Sequence, residues 1–355
     1  MDAIDTALVE INGNDLAVIQ YRQYPIPTAV QTAVRNVSVR TSLEQITELD
    51  VILGELFADA VNAILALSGL TPAAITAIGS HGQTVLHLPR GNYPRTLQIG
   101  DPARIAVRTG ITTVADFRRN DIAAGGQGAP LACAFHAWRF HSAERDRVVL
   151  NLGGMANITV LPSGSESQIT GFDTGPGNAL MDSWVQLHLQ QDFDVDGAWA
   201  ISGKVDPQLL GLMLADPYFS KRPPKSTGKD DFNRGWLSAR LDMTGREIEP
   251  ANVQATLLEL TARSVSTAIA QNAPVTTEVL VCGGGMHNRA LLQRLKEYMP
   301  DRTIVPTDQY GVSADAVEAV TFAWLAKCRL EQLPANLPAV TGASRKVILG
   351  AIYSP

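Results

Sequence analysis

An α/β protein of two domains is what this sequence predicts, and three observations carry the reading. Strand-like runs alternate with helical periods along the whole chain. The alternation runs through twice, with a charge- and glycine-rich segment, DFRRNDIAAGGQGAP (116–130), between the two passes. The 355 residues, 45% hydrophobic and 18% charged, favour two hydrophobic cores of ordinary size over one.

The first pass opens on a strand (6–11), a turn at Asn12-Gly13-Asn14-Asp15 and a second strand (16–21). Asn-Gly between alternating apolar runs is hairpin chemistry. Apolar residues then recur every three or four positions over 43–68, which predicts a helix ended by Gly69 and Pro72. A short strand (75–79), the loop Ser80-His81-Gly82-Gln83-Thr84 and another strand complete this pass. The second pass gives strand-turn-strand (148–161), a strand ending in Phe172-Asp173 and a helix (179–189). A long helix (254–271), a strand (278–281), a glycine triplet, a helix (288–298) and an apolar helix (314–330) follow. The expected limits are 1–125 plus about 335–355 for the first domain and 126–334 for the second.

A formal net charge of -6 argues against non-specific binding to nucleic acid or to an anionic membrane. Cys133, Cys282 and Cys328 are sparse and form no CxxC, the usage of reduced thiols in a cytoplasmic protein. The sequence shows no basic-then-apolar leader and no run near the roughly 20 apolar residues of a membrane span. His136 and His141 stand five apart in no acid-rich context, so no zinc site is expected.

Three glycine turns carry the chemistry: Gly153-Gly154 between two strands, GFDTGPGNALMD (171–182) from a strand into a helix, and Gly283-Gly284-Gly285 between a strand and a helix. Each admits a ligand close to bare backbone, and the last two aim helix N-termini at it, which suits phosphate. No GxxxxGK[ST] occurs, and Leu180 stands where a dinucleotide fingerprint needs a small residue. Glycine turns seated in a cleft between two similar α/β halves point instead to the actin/hexokinase-like (ribonuclease H-like) ATPase fold.

Among the acids, Asp173 opens the TGPGN turn and is a candidate general base, with Asn178 the nearer helix cap. Asp182 reads as structural. Glu318 lies among apolar neighbours and is either a proton donor of raised pKa or a first-turn glutamate stabilised by the helix dipole. Asp116, Arg118, Arg119 and Asp121 form either a solvated charge run or, with Gly125, Gly126, Gly128 and Pro130, a shaped loop whose arginines fork onto an anion. Ser80 to Thr84 offers sugar hydroxyl partners. PKSTGKDDFN (224–233) presents Lys225, Ser226 and Thr227 as anion or hydroxyl ligands.

In this order, SHGQT, DFRRNDIAAGGQGAPL, LNLGGMANI, GFDTGPGN followed by LMD, PKSTGKDDFN, LLELTARS and VLVCGGGMHN resemble the anhydro-N-acetylmuramic acid kinase family. The resemblance runs from Asp2 to the C-terminal TGASRKVILGAIY. It implies a homodimeric kinase that uses ATP and Mg²⁺ to open the 1,6-anhydro ring hydrolytically and phosphorylate O6, in cell-wall recycling. It further implies Asp173 as base and Glu318 as an acid assisting ring opening. ATP and phosphate would be held by Asp2, Asp5, Gly153, Gly154, Asn157, Gly175, Gly177, Asn178, Gly283, Gly284, Gly285 and Asn288. The sugar would meet Ser80, His81, Gln83, Gln98, Asp116, Arg118, Arg119, Gly126 and Gln127, with Arg118 or Arg119 on its lactyl carboxylate. Asp2 or Asp5 would serve the metal through water.

The family pattern at the first residues is a strand, GTS-x-D-G-x-D, and a second strand. Asp2 and Asp5 match its acids and Ala3 stands where glycine is usual. The expectation is therefore a first strand and Gly-Thr-Ser turn ahead of Met1, from a start assigned too late. The alternatives are another sugar kinase of the same fold, or a sugar-binding homologue impaired in catalysis.

Overall fold

The computed structural model describes residues 3–164 and 168–355. They divide into two compact units, one running to Arg139 and resuming over Ala316–Pro355, the other Phe140–Asp315. Unit 1 begins with the hairpin of β1 (Ala3–Asn12) and β2 (Asp15–Pro25), antiparallel, with a register shift between Leu8 and Val9. Gly13 takes φ 60° at its turn, the left-handed conformation glycine supplies without strain. After α1 (Thr28–Arg35) comes α2 (Leu43–Ser68), bounded as its periodicity predicts. Ser42 and Gln45 form a reciprocal capping box and left-handed Gly69 ends the helix.

Next come β3 (Ile78–Gly79), β4 (Gln83–Leu88), β5 (Arg95–Ile99), α3 (Pro102–Thr109), β6 (Thr113–Ala115), α4 (Phe117–Ala123) and α5 (Ala132–Phe140). The strand expected over 75–79 shrinks to Ile78 and Gly79, the two residues that pair with Thr113 and Val114 of β6. The expectation about apolar runs also needs correction: α2 is long and apolar enough to cross a membrane by length and composition. Its acids engage the rest of the unit. Asp50 Oδ1 accepts from the Gly100 N–H at 2.6 Å, and Glu55 and Asp59 pair with Arg104 and Arg108 of α3.

Unit 2 is built on one mixed sheet. Its strands are β7 (Arg147–Leu152), β8 (Met155–Leu161), β9 (Thr170–Pro176), β10 (Glu278–Cys282) and β11 (Thr303–Pro306), in the order β11-β10-β7-β8-β9. β11, β10 and β7 run parallel, and β8 and β9 add antiparallel on one side. Every residue of β10 is buried, as a central parallel strand covered on both faces requires. The helices are α6 (Ala179–Leu189), α7 (Ala198–Ser202), α8 (Pro207–Leu214), α9 (Pro217–Ser220), α10 (Arg234–Asp242), α11 (Pro250–Asn272) and α12 (Arg289–Tyr298). α11 buries Leu257, Leu260, Val265 and Ile269 in the core.

The chain then returns to unit 1 with α13 (Val317–Leu330), α14 (Pro338–Thr341) and β12 (Ala351–Tyr353), giving the sheet β12-β6-β3. α13 starts three residues later than its apolar pattern suggests. Aromatic packing fixes where the units divide. Phe322 lies 5.5 Å from Phe117, and Trp324 stacks on Trp138 at 5.7 Å. Residues 126–139 and 316–334 therefore group with unit 1, where the sequence limits put them in the second domain. A Cβ on Gly79 would fall 2.0 Å from the Phe322 carbonyl oxygen, so only glycine lets α13 pack this closely on β3.

Candidate active site

In unit 2 the three glycine turns converge. The carbonyl of Gly153 accepts from the Asn178 N–H at 2.9 Å, and that of Gly154 from the N–H groups of Gly177 (2.9 Å) and Ala179 (3.1 Å). The amides of Gly177, Asn178 and Ala179 at the start of α6 are therefore bonded to the Gly153-Gly154 turn and are not offered to a ligand. A Cβ on Gly177 would lie 2.3 Å from the Gly153 oxygen, and one on Gly285 2.7 Å from Leu152 Cβ. Gly175 is pressed by the Phe219 ring in the same way. Open approach to backbone remains at Gly153, Gly154 and Gly284. The triplet does not lead straight into a helix: a 3₁₀ turn, Gly284–His287, intervenes. Asn288 then caps α12, accepting from the Leu291 N–H at 3.0 Å. Asn178 makes no side-chain cap; its Nδ2 donates to the Leu152 carbonyl at 2.9 Å.

Asp173 lies inside β9 rather than at its end, opposite Asn157 and beside a bulge at Ala156/Asn157. Its Oδ2 accepts from the Thr227 N–H at 2.9 Å, its own N–H donates to the Lys225 carbonyl at 3.2 Å, and its carbonyl accepts from the Tyr218 hydroxyl at 2.6 Å. Burial lifts its carboxyl from 3.8 to about 6, with the Thr227 N–H opposing. A carboxylate poised there ionises near neutrality and still holds a proton well, as a general base must.

The 224–233 loop is differently employed than its composition suggests. Lys225 Nζ donates to the carbonyls of Tyr218 (3.3 Å) and Phe219 (3.5 Å) and sits 4.6 Å from the Tyr218 ring centre. Burial and then Lys221 lower its pKa. Thr227 Oγ1 donates to Asp231 at 2.8 Å, and Ser226 is exposed. The cation beside the glycine turn is Lys229, whose Cε comes within 3.8 Å of a Cβ placed on Gly154. Sequence reasoning passed over Lys229 and Tyr218. Lys229 shares the polar loop and was discoverable there, while no motif marks Tyr218.

In unit 1 the run 116–130 is α4 followed by a shaped loop over 124–130, organised by an acid that the sequence reading left out of the site. Buried Asp121 accepts from the Gly128 N–H (2.7 Å), Asn336 Nδ2 (2.7 Å) and Thr341 Oγ1 (2.8 Å). A Cβ on Gly126 would strike its carboxylate, and the Gln127 N–H donates to the Thr341 carbonyl at 2.8 Å. Arg118 donates to the Gly128 carbonyl (2.7 Å) and to His81 Nε2 (2.8 Å), while its buried Nε has no partner among the described residues. Because arginine only donates, His81 Nε2 must accept and the ring carries its proton on Nδ1. Burial and then Arg118 lower the His81 pKa to about 3, so the ring stays neutral. Arg119 is exposed and pairs with Asp116 Oδ1 at 3.2 Å. Asp116 sits at φ 58°, a left-handed conformation uncommon for a residue with a side chain, and accepts from the Tyr353 hydroxyl at 2.8 Å. Ser80 is buried, and its N–H donates to the Val114 carbonyl at 2.8 Å. Gln83 Nε2 donates to the Thr84 carbonyl at 3.0 Å. Gln98 donates to Thr84 and Thr96, and its Oε1 is buried without a partner among the described residues.

Glu318 occupies the first turn of α13 and lines a cavity of about 730 Å³ in unit 1 with Asp5, Ser80 and His81. It is open to the cavity, yet protein surrounds it. That enclosure, and then the charge of Asp5, raises its pKa against the opposing Arg118. Asp5 accepts from the Tyr21 hydroxyl (2.5 Å) and Gln23 Nε2 (2.9 Å). Asp2 lies outside the described residues. Among the described residues no three His, Cys, Asp or Glu side chains cluster to hold a metal.

Backbone turns open to a ligand, with a lysine and a buried carboxylate of raised pKa in the same unit, are the equipment of a phosphotransferase. Residues 1–355 match the anhydro-N-acetylmuramic acid kinase family throughout, and the chain belongs to that family. An anhydro-N-acetylmuramic acid kinase of Coxiella burnetii (strain Dugway 5J108-111) is 48% identical over 99% of this chain and 94% of its own length. One of Vibrio cholerae (serotype O1 strain ATCC 39315 / El Tor Inaba N16961) is 48% identical over 100% of this chain and 96% of its own. Among solved structures, a ROK family glucokinase from Streptomyces griseus in complex with glucose and AMPPNP aligns with 91% of this chain and 99% of its own. That alignment has 15% identity and a TM-score of 0.37, so the kinase assignment rests on the family match.

Proposed function

We propose that this protein uses ATP and water to convert 1,6-anhydro-N-acetylmuramic acid into N-acetylmuramic acid 6-phosphate and ADP, a step of peptidoglycan recycling. The full-length family match carries this reading. Asp173 takes a proton from the water that attacks the anomeric carbon. The C1–O6 bond breaks, and O6 takes the γ-phosphoryl group as ADP leaves. Glu318 is the acid that assists ring opening. Gly153, Gly154 and Gly284 offer backbone to the phosphates, and Lys229 lends charge where Lys225 is already engaged. A sugar carboxylate is met by Arg118 or Arg119. Asp5 is a single carboxylate with one oxygen already held by Tyr21 and Gln23, which suits Mg²⁺ kept through water rather than bound directly. That ion would neutralise phosphate charge. The sparse, buried free cysteines support a cytoplasmic setting, and the family resemblance supports a homodimer. ADP release should follow addition of the anhydrosugar and not of glucose, N-acetylglucosamine or N-acetylmannosamine. Turnover of all four alike would overturn the substrate assignment.

The cavity in unit 1 bears on the same reading. β1 walls one side and residues 74–82 the other, while Val61 and Ile64 of α2 and Phe322 and Ala326 of α13 close its faces. Among the described residues β1 pairs only with β2, and β3 only with β6. We propose that this space accepts one apolar strand hydrogen-bonded on both edges, the strand that the resemblance sets before the Gly-Thr-Ser turn. Fusing an apolar strand and that turn ahead of Asp2 should raise the melting temperature by several degrees. The same extension with charges at alternate positions should not. Equal melting of both extended proteins and the parent would overturn the proposal.

A further inference from the structure

We infer that Tyr218 and the main-chain amide of Thr227 are positioning residues for Asp173, and that segment 218–227 is a strap that aims the base. The inference rests on the reading of Asp173 as base. Among the described residues β9 is the last strand of its sheet, so the backbone groups along its outer edge meet no neighbouring strand there. At Asp173 the strap takes that place: the Lys225 carbonyl accepts from the Asp173 N–H (3.2 Å) and the Tyr218 hydroxyl donates to the Asp173 carbonyl (2.6 Å). The same strap then reaches the side chain, where the Thr227 N–H donates to Oδ2 at 2.9 Å. One short segment thus engages the N–H, the carbonyl and the carboxylate of a single residue. Oδ1 has no partner among the described residues, so it is the oxygen left to meet water.

The strap is closed on itself and pinned at both ends. Lys225 Nζ donates back to the Tyr218 and Phe219 carbonyls and lies over the Tyr218 ring. Thr227 Oγ1 ties the far end to Asp231, and Phe219 packs against Gly175 two residues beyond the base. Tyr218 is itself 6% exposed. A buried tyrosine needs a partner for its hydroxyl, and here the partner is the backbone of the base itself.

A hydrogen bond to a carboxylate favours its charged form. Loosening the strap should therefore raise the proton affinity of Asp173 and move the acid limb of kcat/KM to higher pH. For Tyr218→Phe we expect kcat/KM for the sugar to fall about tenfold at pH 6 and less than about twofold at pH 8.5, with KM for ATP unchanged. Thr227→Ala retains the N–H but cuts the tie to Asp231, so it should move the limb in the same direction as Tyr218→Phe and by less. A Tyr218→Phe profile that overlays wild type, or a loss equal at every pH, overturns the inference. If Tyr218→Phe melts below the assay temperature, Lys225→Met loosens the same strap and is read for the same limb. Asp173→Asn separates the two readings. Near-normal turnover there removes the base assignment, whereas an inactive Asp173→Asn beside a wild-type Tyr218→Phe profile removes the strap alone.

Discussion

Replacing Asp173 with asparagine should cost the protein its turnover and increase its stability, and the two effects have one origin. Burial raises this carboxyl from 3.8 to about 6. At about 1.36 kcal/mol per pH unit, that corresponds to about 3 kcal/mol favouring the neutral form in the folded protein. The native state therefore holds the proton more tightly than the unfolded chain. Below about pH 4 both states are protonated and the group contributes nothing. As pH rises from about 4 to 6 the unfolded chain releases its proton first, and the folded protein loses stability that it does not regain above pH 6. Asparagine carries no such charge, and its Oδ1 can still accept from the Thr227 N–H. The variant should match wild type in melting temperature at pH 4 and exceed it by about 4–8 °C at pH 8, taking about 2 kcal/mol as realised in a unit of this size. Turnover should fall by about 10²- to 10⁴-fold, the usual range for a lost general base. Calorimetric melts at pH 4, 6 and 8, with coupled ADP detection, measure both. Near-normal turnover, or a stability gain that does not grow between pH 4 and pH 8, would refute the reasoning.

Glu318→Gln, which keeps shape and removes the proton chemistry, should lower kcat by about 10²-fold with ADP affinity unchanged; wild-type kcat would leave Glu318 as a structural first-turn residue. Lys229→Met should raise KM for ATP about tenfold, the scale of one charge-assisted contact, while Lys225→Met should leave it unchanged; the opposite pattern in steady-state kinetics would exchange their roles.

Local rules account for much of the fold. The period of α2, its Ser42/Gln45 cap and the glycine after it are all written within 28 residues, and the structure places that helix as its pattern predicts. The Asn12–Asp15 turn and the β7–β8 hairpin are likewise local. What escaped is non-local. The division between the units depends on Trp138 meeting Trp324, and no periodicity in either helix announces a partner so far along the chain. For Asp121 the sequence left a solvated charge run and a shaped loop both open, because the residues that satisfy it, Asn336 and Thr341, lie more than 200 positions away. The glycine turns were visible as turns, but their composition could not distinguish backbone open to a ligand, as at Gly284, from backbone spent on the protein, as at Gly177. The strap on Asp173 was hidden for the same reason: Tyr218 acts through one hydroxyl on a carbonyl 45 residues upstream.

The most direct test of the account is the fate of water oxygen. Purified protein should be incubated with ATP and 1,6-anhydro-N-acetylmuramic acid in H₂¹⁸O, and the sugar product analysed by mass spectrometry alongside ADP. The account predicts one ADP per N-acetylmuramic acid 6-phosphate, with the label on the C1 hydroxyl and none on the transferred phosphate. ADP with labelled inorganic phosphate and an intact anhydro ring would contradict it.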